Sequence, residues 1–192
     1  MKLIAGLGNP GREYVGTRHN VGFEVIDEML RRHELSWPSK LTAEFREVRW
    51  RRPDEDVLLV EPLTYMNFSG RAVTELMRFY KIDLPGVLVV ADDVNLPLGR
   101  LRARASGSEG GHNGLRSIAE SLGTIEYARL RIGVGRGDLR RDLADHVLAR
   151  FEPEERAGIE DAIARAADAC ETWISGGLAR VMNTFNRAED NT

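Results

Sequence analysis

The chain has 192 residues, of which 42% are hydrophobic, with a net charge of −3 and one cysteine, Cys170. This length predicts one domain with one substantial core, and a lone cysteine excludes an internal disulfide. The apolar runs are too short to cross a membrane and no signal peptide is predicted, so we expect a cytoplasmic protein.

The first half of the chain alternates strand and helix patterns. An apolar run followed by glycines indicates a buried strand, and apolar side chains spaced on one helical face indicate a helix. Two short runs around a polar turn are typical of a hairpin. In chain order, the predicted elements are a strand at 3–8, a helix over 20–33, a hairpin of 44–51 and 57–60, a helix from Ser69, its predicted N-cap, to Tyr80, and a strand at 87–90.

The second half continues the alternation and ends in an acidic helix. The strand predicted over 100–104 alternates arginine with apolar residues, so its arginines share one face. The other predicted elements are a glycine-rich loop at 106–111, a helix from 113 to 122, a strand at 129–134, a mobile basic segment at 135–141, a helix over 153–174 and a short terminal helix after Gly176 and Gly177. The alternation with a hairpin predicts an α/β fold, a mixed sheet surrounded by helices in one domain over residues 1–192, its last few residues disordered.

Positive charge is concentrated in one segment. Residues 100–141 hold nine arginines against four acidic residues, a net charge of +5, whereas residues 142–192 carry −6. Because guanidinium groups suit two-point contacts with phosphate, the segment indicates a phosphate-binding surface on an acidic body. Composition alone leaves open the alternative that the segment is a solvated charged face.

Polar side chains follow the apolar runs, at the positions where a sheet holds its site. They comprise one histidine, two aspartates and three asparagines: His19, Asp92, Asp93, Asn9, Asn67 and Asn113. A histidine oriented by a carboxylate can activate water, and amide groups can stabilise the oxyanion of an ester or amide under attack. Any single asparagine could instead be a turn or cap residue.

Other chemistries lack their signatures. Gly6, Gly8 and Gly11 match the dinucleotide-binding pattern by spacing, but no apolar helical period follows them directly, and no clear acidic residue ends a second strand about twenty residues further on. The four histidines lie far apart in sequence without metal-ligand spacing, and Ser108 lacks the glycine that a nucleophile elbow needs. We therefore predict no metal and no cofactor.

Six ordered motifs together resemble the bacterial-type peptidyl-tRNA hydrolase family, from Leu3 to about Phe185. They are Gly6-Leu7-Gly8-Asn9-Pro10-Gly11, Thr17-Arg18-His19-Asn20, Thr64-Tyr65-Met66-Asn67-x-Ser69-Gly70, Asp92 with Leu96-Pro97-x-Gly99, Gly110-Gly111-His112-Asn113-Gly114-Leu115 and Arg129-Leu130-Arg131-Ile132-Gly133. The resemblance implies a peptidyl-tRNA hydrolase-like, phosphorylase/hydrolase-like fold. It also implies a monomer without an obligate protein partner, which cleaves the ester between a peptide and the terminal ribose of tRNA without a metal.

The resemblance also assigns roles by position. His19 would be the catalytic base and Asp92 the carboxylate that orients it. Residues assigned to the peptide and the terminal ribose are Asn9, Tyr14, Met66, Asn67 and Asn113. Arg104 stands where the family frequently has a tRNA-contacting lysine, and we expect Arg131, Arg140 and Arg141 of the same positive segment to contact the tRNA with it. The chain departs from the family pattern at Ala91 and Asn95 and in the loop at 106–109. The alternative is an RNA-binding module of the same fold with altered or lost hydrolase chemistry. A turnover assay would distinguish this module from an active hydrolase.

Overall fold

The computed structural model describes residues 1–39 and 44–187. Its strands are β1 (Lys2–Gly6), β2 (Phe45–Trp50), β3 (Val57–Pro62), β4 (Val87–Asp93), β5 (Leu101–Arg104) and β6 (Ala128–Gly133). Its helices are α1 (Val21–Arg32), α2 (Ser69–Tyr80), α3 (Asn113–Leu122), α4 (Leu143–Leu148) and α5 (Pro153–Phe185). The predicted disorder of the last residues lies outside the described part of the chain.

The six strands form one mixed sheet in the order β2-β3-β1-β4-β6-β5. Its four inner strands are parallel, whereas β2 and β5 are antiparallel edges. The predicted hairpin is confirmed, with Phe45 opposite Pro62. Helices cover both faces of the parallel strands, which explains why β1, β3 and β4 are almost wholly apolar. The predicted α/β fold is therefore confirmed.

Two apolar cores lie on opposite faces of the sheet. Along β1, Ile4 packs on the face covered by α1 and α5, while Leu3 and Ala5 pack on the face covered by α2 and α3. This division follows from the alternation of side chains along a strand. Among the described residues, none of these helices is both long and apolar enough to span a membrane.

The first turn of α1 lies directly against the sheet. A Cβ atom at Gly22 would lie 2.6 Å from the backbone nitrogen of Leu7 and from the carbonyl oxygen of Val90, so only glycine permits this approach. The contact holds the preceding 3₁₀ turn, Arg18–Asn20, over the carboxyl ends of β1 and β4. It thereby places His19 beside Asp92.

Four details differ from the sequence predictions. Ser69 is wrong as an N-cap, because it is the first helical residue of α2 and its hydroxyl donates to the carbonyl of Met66. Strand β1 ends at Gly6 rather than at residue 8, and β4 continues to Asp93 because it pairs with β6 over that length. Helix α4 was not predicted.

The other helices begin and end near the predicted residues. Gly177 has a φ of +79° and kinks α5, so the predicted break between the long acidic helix and the short terminal one is confirmed.

Candidate active site

One pocket of about 580 Å³ opens at the carboxyl ends of β1 and β4. This is the edge where parallel sheets bind ligands, and the volume is in the usual range for ligand pockets. Seven residues predicted from the sequence for catalysis or substrate binding line it, namely Asn9, Tyr14, His19, Met66, Asn67, Asp92 and Asn113. The pocket therefore brings together groups that are spread along the chain from Asn9 to Asn113.

His19 lies at the buried end of the pocket with Asp92 behind it. Its Nδ1 atom is 2.9 Å from both carboxylate oxygens of Asp92, a side chain that is only 1% exposed. A carboxylate accepts hydrogen bonds, so Nδ1 carries the proton and Nε2 is left as the basic nitrogen. The hydrogen bond thus selects the tautomer that a general base requires.

His112 contacts the same carboxylate from the other side. Its Nδ1 atom accepts hydrogen bonds from the backbone nitrogens of Gly114 and Leu115, at 3.1 and 3.2 Å, and so caps α3. Because Nδ1 is an acceptor, the proton is on Nε2, which donates to Asp92 Oδ1 at 2.8 Å. The ring centroids of His19 and His112 are 4.8 Å apart. Asp92 therefore binds two imidazoles. We call these three residues, His19, Asp92 and His112, the histidine–aspartate cluster.

The cluster shifts the acidity of its members. Burial opposes charge on Asp92, but its contacts with His19 and His112 outweigh burial and hold the pKa of the carboxyl well below its usual range. Burial likewise disfavours the charged form of His19, yet the charge and hydrogen bond of Asp92 prevail and raise the pKa of the imidazole. Asp92 thus stays ionised and makes His19 a stronger base.

The three side chains resemble a metal site in their types alone. Their ligand atoms lie within 4.8 Å of one another, although the sequence had shown the histidines far apart. Both imidazole nitrogens that face Asp92 carry protons, and the Nδ1 atom of His112 is already an acceptor for α3. A cation between them would have to displace these hydrogen bonds. The chemistry of the donor set therefore favours proton transfer over metal binding.

Asn9 is a buried part of the pocket wall. Its Oδ1 atom accepts a hydrogen bond from the backbone nitrogen of Met66 at 2.8 Å. The side-chain amide of Asn20 forms hydrogen bonds with both the backbone nitrogen and the carbonyl oxygen of Asn9. The bond to Met66 also fixes which end of the amide is the oxygen. The NH₂ group of Asn9 is therefore the part that can donate to a substrate.

Asn67 and Asn113 are exposed on the rim of the same pocket. Asn67 follows Met66 in a 3₁₀ turn, and Asn113 is the first residue of α3. The two elements are close: a Cβ atom at Gly114 would lie 2.4 Å from Met66 Sδ, so a larger residue would push Met66 out of place. Glycine thus allows the two elements that carry these asparagines to approach each other closely.

Aromatic and aliphatic side chains form the outer walls. The rings of Tyr14 and Tyr65 meet edge to face with centroids 6.4 Å apart. Tyr65 has a φ of +59°, a backbone conformation that is strained for a non-glycine residue and is found most often at functional sites. The opposite wall consists of residues from α4: Leu143, Ala144, Val147 and Leu148. The pocket therefore joins a polar end, at the cluster, to an apolar channel.

The predicted arginines fall into different environments. Arg131 lines the pocket, where its guanidinium donates to the carbonyl of Ser108 and lies 3.5 Å from Asp93. Arg104 is exposed on edge strand β5, and Arg140 and Arg141 are exposed ahead of α4. Only Arg131 of the four thus reaches the pocket.

Asp93 does not join the cluster. Side chains alternate along β4, so Asp93 faces the opposite side from Asp92, towards Arg131. Its Oδ1 atom accepts from the backbone nitrogen of Asn95 at 2.8 Å, which shapes the turn after the strand. Asp93 therefore supports the loop next to the pocket.

Three parts of the site were missed from the sequence. His112 was identified as part of a motif but was given no role, although a histidine directly before a helical pattern could have suggested a cap. Asn20 was likewise quoted without a function. Helix α4 gives a weak signal because its six residues contribute one buried side chain, that of His146.

Comparisons with known proteins agree on one family. Residues 3–192 match the family model described as Peptidyl-tRNA hydrolase. Peptidyl-tRNA hydrolases of Bacillus cereus and Dehalococcoides mccartyi are 47% and 48% identical to this chain over 188 and 189 residues, which is 97% of the chain and all of each relative.

Solved structures show the same similarity. The peptidyl-tRNA hydrolase from Acinetobacter baumannii superposes with a TM-score of 0.89 at 33% identity, covering 97% of this chain and 94% of that one. A peptidyl-tRNA hydrolase in complex with N-propanol superposes with a TM-score of 0.90 at 32% identity, covering 99% and 96%.

Proposed function

Because the chain belongs to the peptidyl-tRNA hydrolase family and hydrolyses the ester bond of peptidyl-tRNA, we propose that His19 and Asp92 carry out this reaction with water as the nucleophile. The observation that carries the proposal is the hydrogen bond that His19 Nδ1 donates to the carboxylate of Asp92, which leaves Nε2 free to accept a proton. The hydrogen bond from His112 supports it by holding Asp92 in place.

The reaction has two proton transfers. His19 Nε2 takes a proton from water as the water oxygen attacks the ester carbonyl, and a tetrahedral intermediate forms. The ester bond to the ribose oxygen then breaks, and the protonated imidazole returns its proton to that oxygen. Peptide acid and free tRNA leave, and His19 is neutral again.

The asparagines bind the reacting group. The NH₂ group of Asn9 and the rim amides of Asn67 and Asn113 donate to the carbonyl oxygen and the peptide backbone, and they stabilise the negative charge that develops in the transition state. None of these amides carries a charge that could pair with a free ammonium group. We therefore assign N-acylated aminoacyl groups, rather than free aminoacyl groups, as the substrate class.

The rest of the substrate lies on two surfaces. Tyr14 and Met66 contact the peptide in the channel, and Arg104, Arg131, Arg140 and Arg141 contact the phosphates of the tRNA. We further propose that the chain acts in the cytoplasm as a monomer, with all 192 residues forming one catalytic domain. One sheet, onto which the described helices pack, supports the single domain.

Pre-steady-state kinetics test the mechanism. With N-acetyl-aminoacyl-tRNA in excess over enzyme, direct attack by water predicts release of tRNA without a burst and no acylated protein by mass spectrometry of the quenched reaction. Matched aminoacyl-tRNA with a free amine should be cleaved far more slowly. A burst together with an acyl adduct would contradict direct attack by water, and equal cleavage of the two substrates would contradict the role of the neutral asparagines.

A further inference from the structure

Helix α4 forms one wall of the pocket but is scarcely packed into the protein. Its apolar side chains face the pocket, and four of its six residues line it: Leu143, Ala144, Val147 and Leu148. The two cores that hold the other helices contain no side chain of α4 among the described residues. Something other than apolar burial must therefore set its distance from His19.

A polar attachment lies at the C-terminal end of α4. Arg18 is 3% exposed, and its guanidinium donates to the carbonyls of His146, Ala149 and Arg150 at 3.2, 3.4 and 2.9 Å. It also pairs with Glu155 Oε1 at 2.7 Å. These carbonyls lie at and just beyond the C-terminal end of the helix, where backbone oxygens have no i+4 donor within the helix and a cation is favourable. One side chain thus completes the end of α4 and ties it to α5.

The backbone of Arg18 makes a second attachment to the residues that follow α4. Its nitrogen donates to the carbonyl of Ala149 at 3.0 Å, and Thr17 forms an isolated bridge with Arg150. Arg18 directly precedes His19 in the same 3₁₀ turn. The turn that contains His19 and the wall that faces it are therefore joined through Arg18 and its neighbour Thr17.

We propose that Arg18 is a positioning residue for peptide binding, which sets the distance between the α4 wall and His19. The inference rests on the proposed function of the pocket. A peptide longer than one residue contacts Val147 and Leu148, so a loosened wall weakens its binding. A short acyl group reaches only the cluster and the asparagines, and its hydrolysis does not depend on α4.

Arg18→Lys tests the proposal, because lysine keeps the charge but cannot bridge three carbonyls and a carboxylate. The two substrates are the same tRNA carrying N-acetylglycine or an N-acetylated tetrapeptide with leucine side chains. We expect KM for the tetrapeptide substrate to rise about tenfold, equivalent to about 1.4 kcal/mol, with kcat for both substrates and its pH profile unchanged. KM for the acetylglycyl substrate should stay within about twofold.

Arg32→Lys is the matched control. Arg32 also joins two helices, through Asp168 and the carbonyl of Ala164, but it lies away from the pocket. It should not change the KM ratio of the two substrates. Hydrogen exchange of the α4 amides should become faster in Arg18→Lys and not in Arg32→Lys.

Two outcomes would overturn the inference: an equal rise of KM for both substrates, or a fall of kcat with no change in their KM ratio. If Arg18→Lys does not fold, Glu155→Gln removes the anionic partner instead and should give the same KM split at a smaller size. No split in that variant would also overturn it. A failure of the His19 assignment is distinguishable, because it would appear in kcat for both substrates.

Discussion

The histidine–aspartate cluster and the arginines of β5 and β6 show two ways in which a fold uses ionisable side chains. In the cluster, both imidazoles form hydrogen bonds with Asp92, so the role of Asp92 is to hold these two rings in place. The arginines share one face of the sheet, yet their roles diverge with depth. Arg129 is 1% exposed and donates to the carbonyls of Gly107 and Ile125, whereas Arg104 is exposed. A residue type and a shared face therefore do not define a role until burial is known.

The largest effect should come from the cluster. His19→Ala removes the general base and should lower kcat about a hundred- to ten-thousandfold, since general-base catalysis contributes about that much. Binding of tRNA should change little, because the side chain is buried and adds few ground-state contacts. Steady-state turnover and a tRNA-binding titration measure the two effects. Near-normal turnover would contradict the role of His19.

Asp92→Asn should have a smaller effect on rate and a distinct effect on pH dependence. The amide no longer favours the proton on His19 Nδ1, so we expect a loss of about ten- to a thousandfold, less than in His19→Ala.

The pKa of His19 is raised by Asp92, and His19 must be neutral to act as a base. Wild-type activity therefore rises with pH through that raised pKa. Removing the carboxylate charge lowers the pKa, so the acidic limb of the kcat/KM profile should move to lower pH. If the acidic limb of the profile does not move in Asp92→Asn, it reports the titration of a group other than His19.

On the arginine face, the buried member should affect stability. Arg129→Met removes a guanidinium that satisfies three backbone carbonyls, and we expect the free energy of unfolding to fall by about 2 to 4 kcal/mol. Urea denaturation measures the change. Arg104→Met on the same face is the control and should stay within about 0.5 kcal/mol. An equal loss of stability in the two variants would contradict the conclusion that burial separates the roles of Arg129 and Arg104.

The smallest effect should come from the exposed member. Arg104→Ala should weaken tRNA binding and reduce the log–log salt slope by about 0.7 to 0.9, the contribution of one phosphate, without changing cleavage of a minimal substrate that lacks most of the tRNA. Arg131→Ala should reduce the slope as well, but it should also raise KM for the minimal substrate, because Arg131 holds Ser108 beside the pocket. Binding titrations at several salt concentrations measure the slopes.

Arg31→Ala provides the matched control for these titrations. Arg31 is exposed on α1 and pairs with Glu28. Its removal should leave the salt slope unchanged. If the slopes of all three variants equalled that of the wild type, the tRNA would have to bind elsewhere, and the positive segment would be a solvated face.

The periodic spacing of apolar residues explains how much of the fold could be predicted from the sequence. The strands and most helices followed from the spacing of apolar residues, and the alternation with a hairpin was enough for the mixed sheet. His19 and Asp92 are 73 positions apart, but each follows a strand pattern, and parallel strands end at one edge of a sheet. The resemblance to a known family then supplied their roles.

Only the tertiary structure decided what each polar group contacts. His112 meets Asp92 because α3 begins beside the end of β4, and Arg129 is buried because the loop before β6 closes over it. Arg18 reaches the end of α4 across more than a hundred residues of chain. The sequence by itself determined which residues form elements, because that depends on neighbours a few positions away. Burial and long-range hydrogen bonds depend on how the elements pack, so the cluster's third member and the α4 wall could be found only in the fold.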